Sequence, residues 1–494
     1  MAFTTINDPS AHFQTTLYTG NGGTQNITNG GNSNLRPDFA WIKDRTSTND
    51  HKLTDSIRGS TYTLEANATT AQYNDTNSTT AFLTDGFSLG ANGNVNTNSS
   101  NYVAWQWTAG GPTPAITFIV KVVSDGGNKY RLDNATFSTH SITTYLQEGG
   151  TYTFDLSDNS NDGHPMKFST TSNGTHGGGT VYSTGVVYQL DGSSVTESNY
   201  VSNFNSATTR KLIITVAASA PTLYYFCHYH SGMGGALDTN DKFTTSNYYG
   251  NNGSATVRET VNPTAGVSIL RYAATGSDMT IGHRLGAKPQ AVWVKNISGS
   301  ANWRVFHHLA YTGDSYNQYQ NGAKLNTTSA WDHGANSYWN GGSASFTNTT
   351  ISLGTNTEVN DSGAHYVAYA FTGIKGFSKF GMYRGNGDAQ GRFCFTGFRP
   401  EWVMWRECTS GNTNDWNIVD ATRSNGNLTN LYIRANESSV DADGGSNYAL
   451  NFLSNGFKVA SSNAGVNRDG GEFVYFAFAK SPMVANEIPG TAAY

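Results

Sequence analysis

The stretch LYYFCHYHSGMGG, residues 223–235, places Cys227, His228, His230 and Met233 close together in a chain with 3 cysteines and 7 methionines among 494 residues. Each residue alone has an ordinary explanation. A cysteine in an aromatic strand is usually an inert small hydrophobe, and a histidine beside a turn is usually solvated. Together with His164, from NSNDGHPMKFST earlier in the chain, they form a donor set. A thiolate from Cys227 and imidazoles from His164 and His230 would make a trigonal plane, with the Met233 thioether as a weak axial ligand. That set suits copper, because the thiolate is soft and the imidazoles borderline, and it disfavours magnesium or calcium. His228 directly follows Cys227 and would face the other side of a strand, so it is read as non-ligating.

No other chemistry emerges from the motifs. G-x-S-x-G, H-E-x-x-H and phosphate-loop patterns are absent. His307 and His308 are adjacent and would point to opposite faces of a strand. The carboxylates are scattered in turns, and VDADGG lacks the acidic set of a calcium loop. No pair of carboxylates is placed for glycan cleavage, so the sequence predicts that the chain is not an enzyme.

The elements that must position these residues are strands. Aromatics make up 13 % of the chain and 55 glycines interrupt it, the composition of many short strands joined by tight turns rather than of a disordered chain. The fold class is therefore all-β. Charged residues are 13 % and the net charge is −5 without runs, which argues against nucleic acid as a partner. No segment is apolar for long enough to span a membrane. The opening MAFTTINDPS shows no signal-peptide pattern. Cys394 and Cys408 are expected to be free thiols.

Three segments repeat one another. RPDFAWIKDR from Arg36, KPQAVWVKNI from Lys288 and RPEWVMWREC from Arg399 each carry a basic residue before Pro and another six positions after it, Lys43, Lys295 and Arg406. A Tyr-to-Gly turn precedes each, at Tyr18, Tyr272 and Tyr383, and an aromatic strand closes each, YVAWQW, YVAYAF and FVYFAF. Bulky and small residues alternate in these segments as in strands with a buried face, and each Pro is expected at the first strand position, where its missing N–H costs least. The reading gives β-sandwich repeat 1 at 1–112, repeat 2 at 265–375 and repeat 3 at 376–494. Residues 113–240 form a guest domain between repeats 1 and 2, followed by a polar linker at 241–264. The guest reads as a Greek-key sandwich of short strands, AITFIVKVV to TLYYFCHYH, and contains the whole candidate metal set.

The guest resembles the cupredoxin family through GHPMKF and YYFCHYHSGMGG, with Cys227-x2-His230-x2-Met233 at the short end of that family's spacing. The resemblance implies a copper site in a structural or vestigial role. The repeats, through RPDFAWIKDR, DSIRGS with its echo DATRSN, and DGFSLGANGNVNTNSSNYVAWQW, look like a domain of marine tailed-phage structural proteins. They are also similar to concanavalin A-like lectin sandwiches. Repeat 2 departs most, since it lacks the Asp-to-Arg element. These resemblances imply a virion protein, a tail fibre or short appendage or a capsid decoration, assembled in the host cytoplasm beside other virion proteins. They imply a homo-oligomer, a trimer by family analogy, and a possible host-surface glycan ligand. The competing expectation is a free copper-binding cupredoxin or carbohydrate-binding module.

Overall fold

The computed structural model describes residues 4–110, 115–132, 140–141, 144–146, 150–217, 220–239, 257–310, 318–333, 337–340, 346–409, 411–424, 427–485 and 488–489. The fold is all-β, and among the described residues no helix reaches seven residues. None is long and apolar enough to cross a membrane. The chain divides into two compact units, Met1–Gly111 with Gly250–Tyr494, and Pro112–Tyr249.

The first unit holds three large sheets of like strand order. In repeat 1 the opening strand Phe13–Thr19 lies beside the closing strand Asn101–Trp107, whose other neighbour is the Pro-led strand Phe39–Asp44. Lys52–Asp55 and Gly59–Glu65 follow outward. Repeat 2 orders Val267–Ala273, His365–Phe371, Ala291–Asn296 and Arg304–His307 the same way. Repeat 3 does so with Ser378–Arg384, Glu472–Pro482, Phe398–Glu407 and Asn417–Asp420. Antiparallel pairing fixes the registers, Tyr18 against Tyr102, Tyr272 against Tyr366 and Tyr383 against Phe473. These ring pairs stack at 5.0, 5.3 and 5.0 Å. Each first-named tyrosine donates its hydroxyl to a carbonyl, of Val95, Val359 and Val466 respectively.

The closing strands are buried on both faces because a layer covers each side. In repeat 1, Tyr102 and Ala104 pack toward a small sheet with Ile27, Phe87 and Leu89. Val103, Trp105 and Trp107 join a core common to all three repeats. There Trp41 meets Trp105 and Trp293 edge-on at 5.8 Å each, Trp402 lies 5.8 Å from Trp107, and Trp293 lies 5.6 Å from Phe476.

Contacts between repeats close in a ring. His51, Trp303 and Trp416 are equivalent, each taking its backbone N–H to an asparagine side chain of its own repeat, Asn67, Asn326 and Asn436. The ring of each reaches a carbonyl of a neighbour. His51 Nε2 lies 3.0 Å from the Arg434 oxygen, Trp303 Nε1 donates to Glu65 at 2.8 Å, and Trp416 Nε1 to Lys324 at 2.9 Å. Repeat 1 thus reaches repeat 3, repeat 3 reaches repeat 2, and repeat 2 reaches repeat 1. Head-to-tail contacts that close after three steps describe a threefold ring, here built within one chain.

Two expectations need correction. Part of the 241–264 linker is a strand, Val257–Asn262, paired antiparallel along Val267–Ala273; its alternation is masked by charged residues that suit an edge. Pro400 lies inside the strand Phe398–Glu407 rather than at its start, at a register shift. A bulge accepts a residue without an N–H.

Candidate metal centre

The second unit has one sheet containing Ala115–Ser124, Thr151–Asp155 and Arg210–Thr215, and another containing Met166–Ser169, Leu223–Cys227 and Gly235–Asp238. Met166 pairs with Cys227, so His164, two residues before Met166, falls at the end of the sheet where the chain leaves Cys227. The His228 N–H donates to Pro165 and extends that pairing. A short turn, Asn159–Asn161, capped by Asp158, delivers His164, whose N–H donates to the Asn161 carbonyl. Asn161, fully buried, is tied by its own amide to Val120. On the other side Gly234 returns the chain after Met233. A Cβ there would stand 1.7 Å from the Tyr225 oxygen, so no other residue fits.

His164, Cys227 and His230 meet with their ligand atoms all within 4.8 Å of one another. The Cys227 Sγ lies 3.8 Å from His164 Nδ1 and 3.6 Å from His230 Nδ1. A metal about 2.0 Å from nitrogen and about 2.3 Å from sulfur, at angles between tetrahedral and trigonal, needs separations of about 3.5–3.7 Å. The Cys227–His230 separation falls in that span and the Cys227–His164 separation exceeds it by about 0.1 Å. Met233 is buried in the same apolar cluster as Cys227. The Met233 carbonyl accepts from the Tyr130 N–H, while the Tyr130 hydroxyl donates to the His164 carbonyl at 2.6 Å. One strand residue therefore fixes both ends of the donor set. Asn128 lies 3.2 Å from His164 Nε2 and leaves Nδ1 toward the thiol, the role of an outer-shell partner.

Cys227 is fully buried and His164 nearly so, while His230 is exposed beside Tyr229, so the site opens on one side. Burial pushes the Cys227 thiol up. Burial, helped by His230, pushes His164 down. The imidazole is thus neutral and ready to ligate, and the thiol gives up its proton on metal binding. His228 lies outside the cluster, with Lys167, Glu197 and His176 in its surroundings. His307 and His308 part as well: His307 faces Phe476 and the Tyr475 carbonyl, and His308 the Phe380 carbonyl. All three cysteines are free and buried. The supporting Tyr130, Asn128 and Asn161 carry no metal-like spacing and were not found in the sequence.

The profile of a family described as a domain of unknown function (DUF7483) matches residues 8–208 and 240–482. The chain belongs to this family. No curated protein matches the chain. The matched segments of the DUF7483 chain include His164 but leave out residues 209–239, and with them Cys227, His230 and Met233. The match alone therefore does not make the metal set a property of DUF7483.

Proposed function

We propose that this DUF7483 chain is a structural protein of a tailed-phage virion surface, a short tail appendage, tail fibre or capsid decoration. The observation that carries the reading is the closed ring of three repeats around one tryptophan-rich core. A ring whose edges are joined by buried contacts resists opening and presents loops outward. This suits a part assembled once and then exposed, and it agrees with the resemblance of the repeats to phage structural domains. The loops, rich in Asn and Thr, could meet a host-surface glycan. The expected result is recovery of the protein in purified virions at fixed stoichiometry, with hundreds of copies for a decoration and far fewer for a tail part. Absence from virion mass spectra would end this reading. The trimer of chains that the resemblance implies is checked by mass in solution.

A second reading rests on the His164–Cys227–His230 cluster: the guest unit holds one copper ion. Cupric ion added to the reduced protein should produce an intense visible thiolate-to-copper band. Cys227→Ala should remove the band and the bound metal, while His228→Ala keeps both. No band in the parent protein, with metal retained in Cys227→Ala, would refute the site.

A further inference from the structure

The threefold ring creates three like grooves, each between the outer edge of one large sheet and the repeat beside it. Among the described residues a strand fills the groove of repeat 2 and no strand fills the other two. The opening strands Phe13–Thr19, Val267–Ala273 and Ser378–Arg384 each bond a closing strand on one side. The carbonyls of His12, Gly266 and Phe377 accept from those closing segments. Antiparallel bonding alternates, so the groups pointing away belong to every second residue thereafter. In repeat 2 these are Val267, Ile269 and Arg271, and they face the added strand Val257–Asn262, with Ile269 opposite Thr260 and Arg271 opposite Arg258. The Asn262 amide reaches Thr108 of repeat 1 at 3.3 Å, so this strand lies in the groove between repeats.

The equivalent outward groups in repeat 3 belong to Ser378, Phe380, Met382 and Arg384. Among the described residues no strand pairs with them. A cavity of about 670 Å³ runs along this edge. Four large apolar side chains that are more than a third exposed converge on it: Leu309 from repeat 2, and Met382, Phe393 and Phe395. Lys379, Arg384 and Arg392 border it and no carboxylate does. Lys379 is tied to the Phe395 carbonyl, which leaves the exposed Arg384 and Arg392 facing an incoming ligand. An apolar unpaired edge is a hazard that proteins ordinarily cover or charge.

We propose that Ser378–Arg384 accepts an extended segment of a partner protein as an added antiparallel strand, a segment that alternates apolar and acidic side chains. The filled groove of repeat 2 supplies the geometry, since main-chain bonds give affinity in this mode and alternate side chains give selectivity. The cations supply the charge preference. A second copy pairing edge to edge would bring together two grooves that are each bordered by cations and by no carboxylate. An acidic polysaccharide would use the rings and cations but leave the Met382 backbone unpaired. His308 Nε2 now lies 2.9 Å from the Phe380 carbonyl, and the arriving strand replaces it.

The test uses the full chain with three probes: an octapeptide alternating Val and Glu, its Val and Lys counterpart, and oligogalacturonate. The Val/Glu peptide should slow amide exchange at Met382 and Arg384 at least tenfold, and the Val/Lys peptide should not. Met382→Pro removes an N–H that the sheet ladder does not use and should abolish this binding. Arg392→Glu, at an exposed side chain, should weaken it at least tenfold with unfolding unchanged. His308→Ala, which uncovers the Phe380 carbonyl, should strengthen it. Protection by oligogalacturonate but not by peptide would overturn the proposal in favour of a sugar site. Peptide binding indifferent to Met382→Pro and Arg392→Glu, or no protection by any probe, would overturn it outright.

Discussion

Asp55→Ala is expected to lower the unfolding free energy of the repeat ring by about 3–5 kcal/mol, the usual cost of stranding a buried charge. Asp55 and Arg58 are both fully buried, with Arg58 Nε 2.5 Å from the carboxylate. The same carboxylate accepts the Arg58 backbone N–H at 2.8 Å and the hydroxyl of Tyr369, from repeat 2, at 2.6 Å. Alanine leaves a guanidinium and a phenol without their acceptor where water does not reach. Repeat 3 has the same device: Asp420 holds Arg423 and accepts from Trp105 of repeat 1 at 3.0 Å. Repeat 2 has His307 and Ala310 at these positions, and the residue facing them from repeat 3 is Phe476, which donates nothing. The pair and its neighbour therefore vary together around the ring. The triple change Asp55→His, Arg58→Ala, Tyr369→Phe, which copies repeat 2, should cost less than Asp55→Ala alone, because it removes the charge with its partners. Urea unfolding followed by tryptophan fluorescence reads both. A loss below about 1 kcal/mol for Asp55→Ala would refute the role given to this seam.

The missing Asp-to-Arg element of repeat 2 was visible in the sequence, but its reason was not. That reason is Phe476, which lies in a different repeat and meets His307 only because the ring closes. The Pro-led strands and aromatic closing strands were legible because alternation of bulky and small residues marks strands directly. Such alternation indicates one buried face, and the second burial of Trp41 and Trp105 against other repeats leaves no local mark. Another feature was present in the sequence yet unread. Residues 92–96, 356–360 and 463–467 spell Asn-x-x-Val-Asn three times. Each forms a one-turn helix whose first asparagine caps it and whose last is buried and bonded across the Tyr-to-Gly turn. An element this short has no period for a pattern search to find. Val257–Asn262 shows the converse, since Arg258, Glu259 and Thr260 read as linker and pairing with an edge overrides that preference. At the metal centre, the donor types and His164 were legible. Tyr130, which staples His164 to Met233, comes from a strand whose sequence suggests only burial.

Acidification should weaken the ring steeply between about pH 6 and pH 4.5, by up to about 4 kcal/mol per pH unit, from three buried histidines at about 1.4 kcal/mol each. His51, His283 and His307 are at most 1 % exposed. Burial pushes all three below the usual imidazole range, His283 to about 4. Lys43 adds to the effect at His51, and His308 adds to it at His307. The unfolded chain takes up these protons near pH 6.5 and the folded chain does not. Their contribution is complete above that pH and is lost as pH falls toward the folded values. Glu259 and Glu401 work the other way, because burial pushes their carboxyls up and the folded state protonates first. They offset part of the loss as pH falls through their raised values. His307→Gln keeps a donor for the Tyr475 carbonyl and removes one titrating group. Its unfolding free energy should fall less steeply with acid, by about 1.4 kcal/mol per pH unit. Urea midpoints measured every half unit from pH 7 to pH 4.5 give the slope, and identical slopes for the two proteins would show that His307 is not held neutral by burial in the ring.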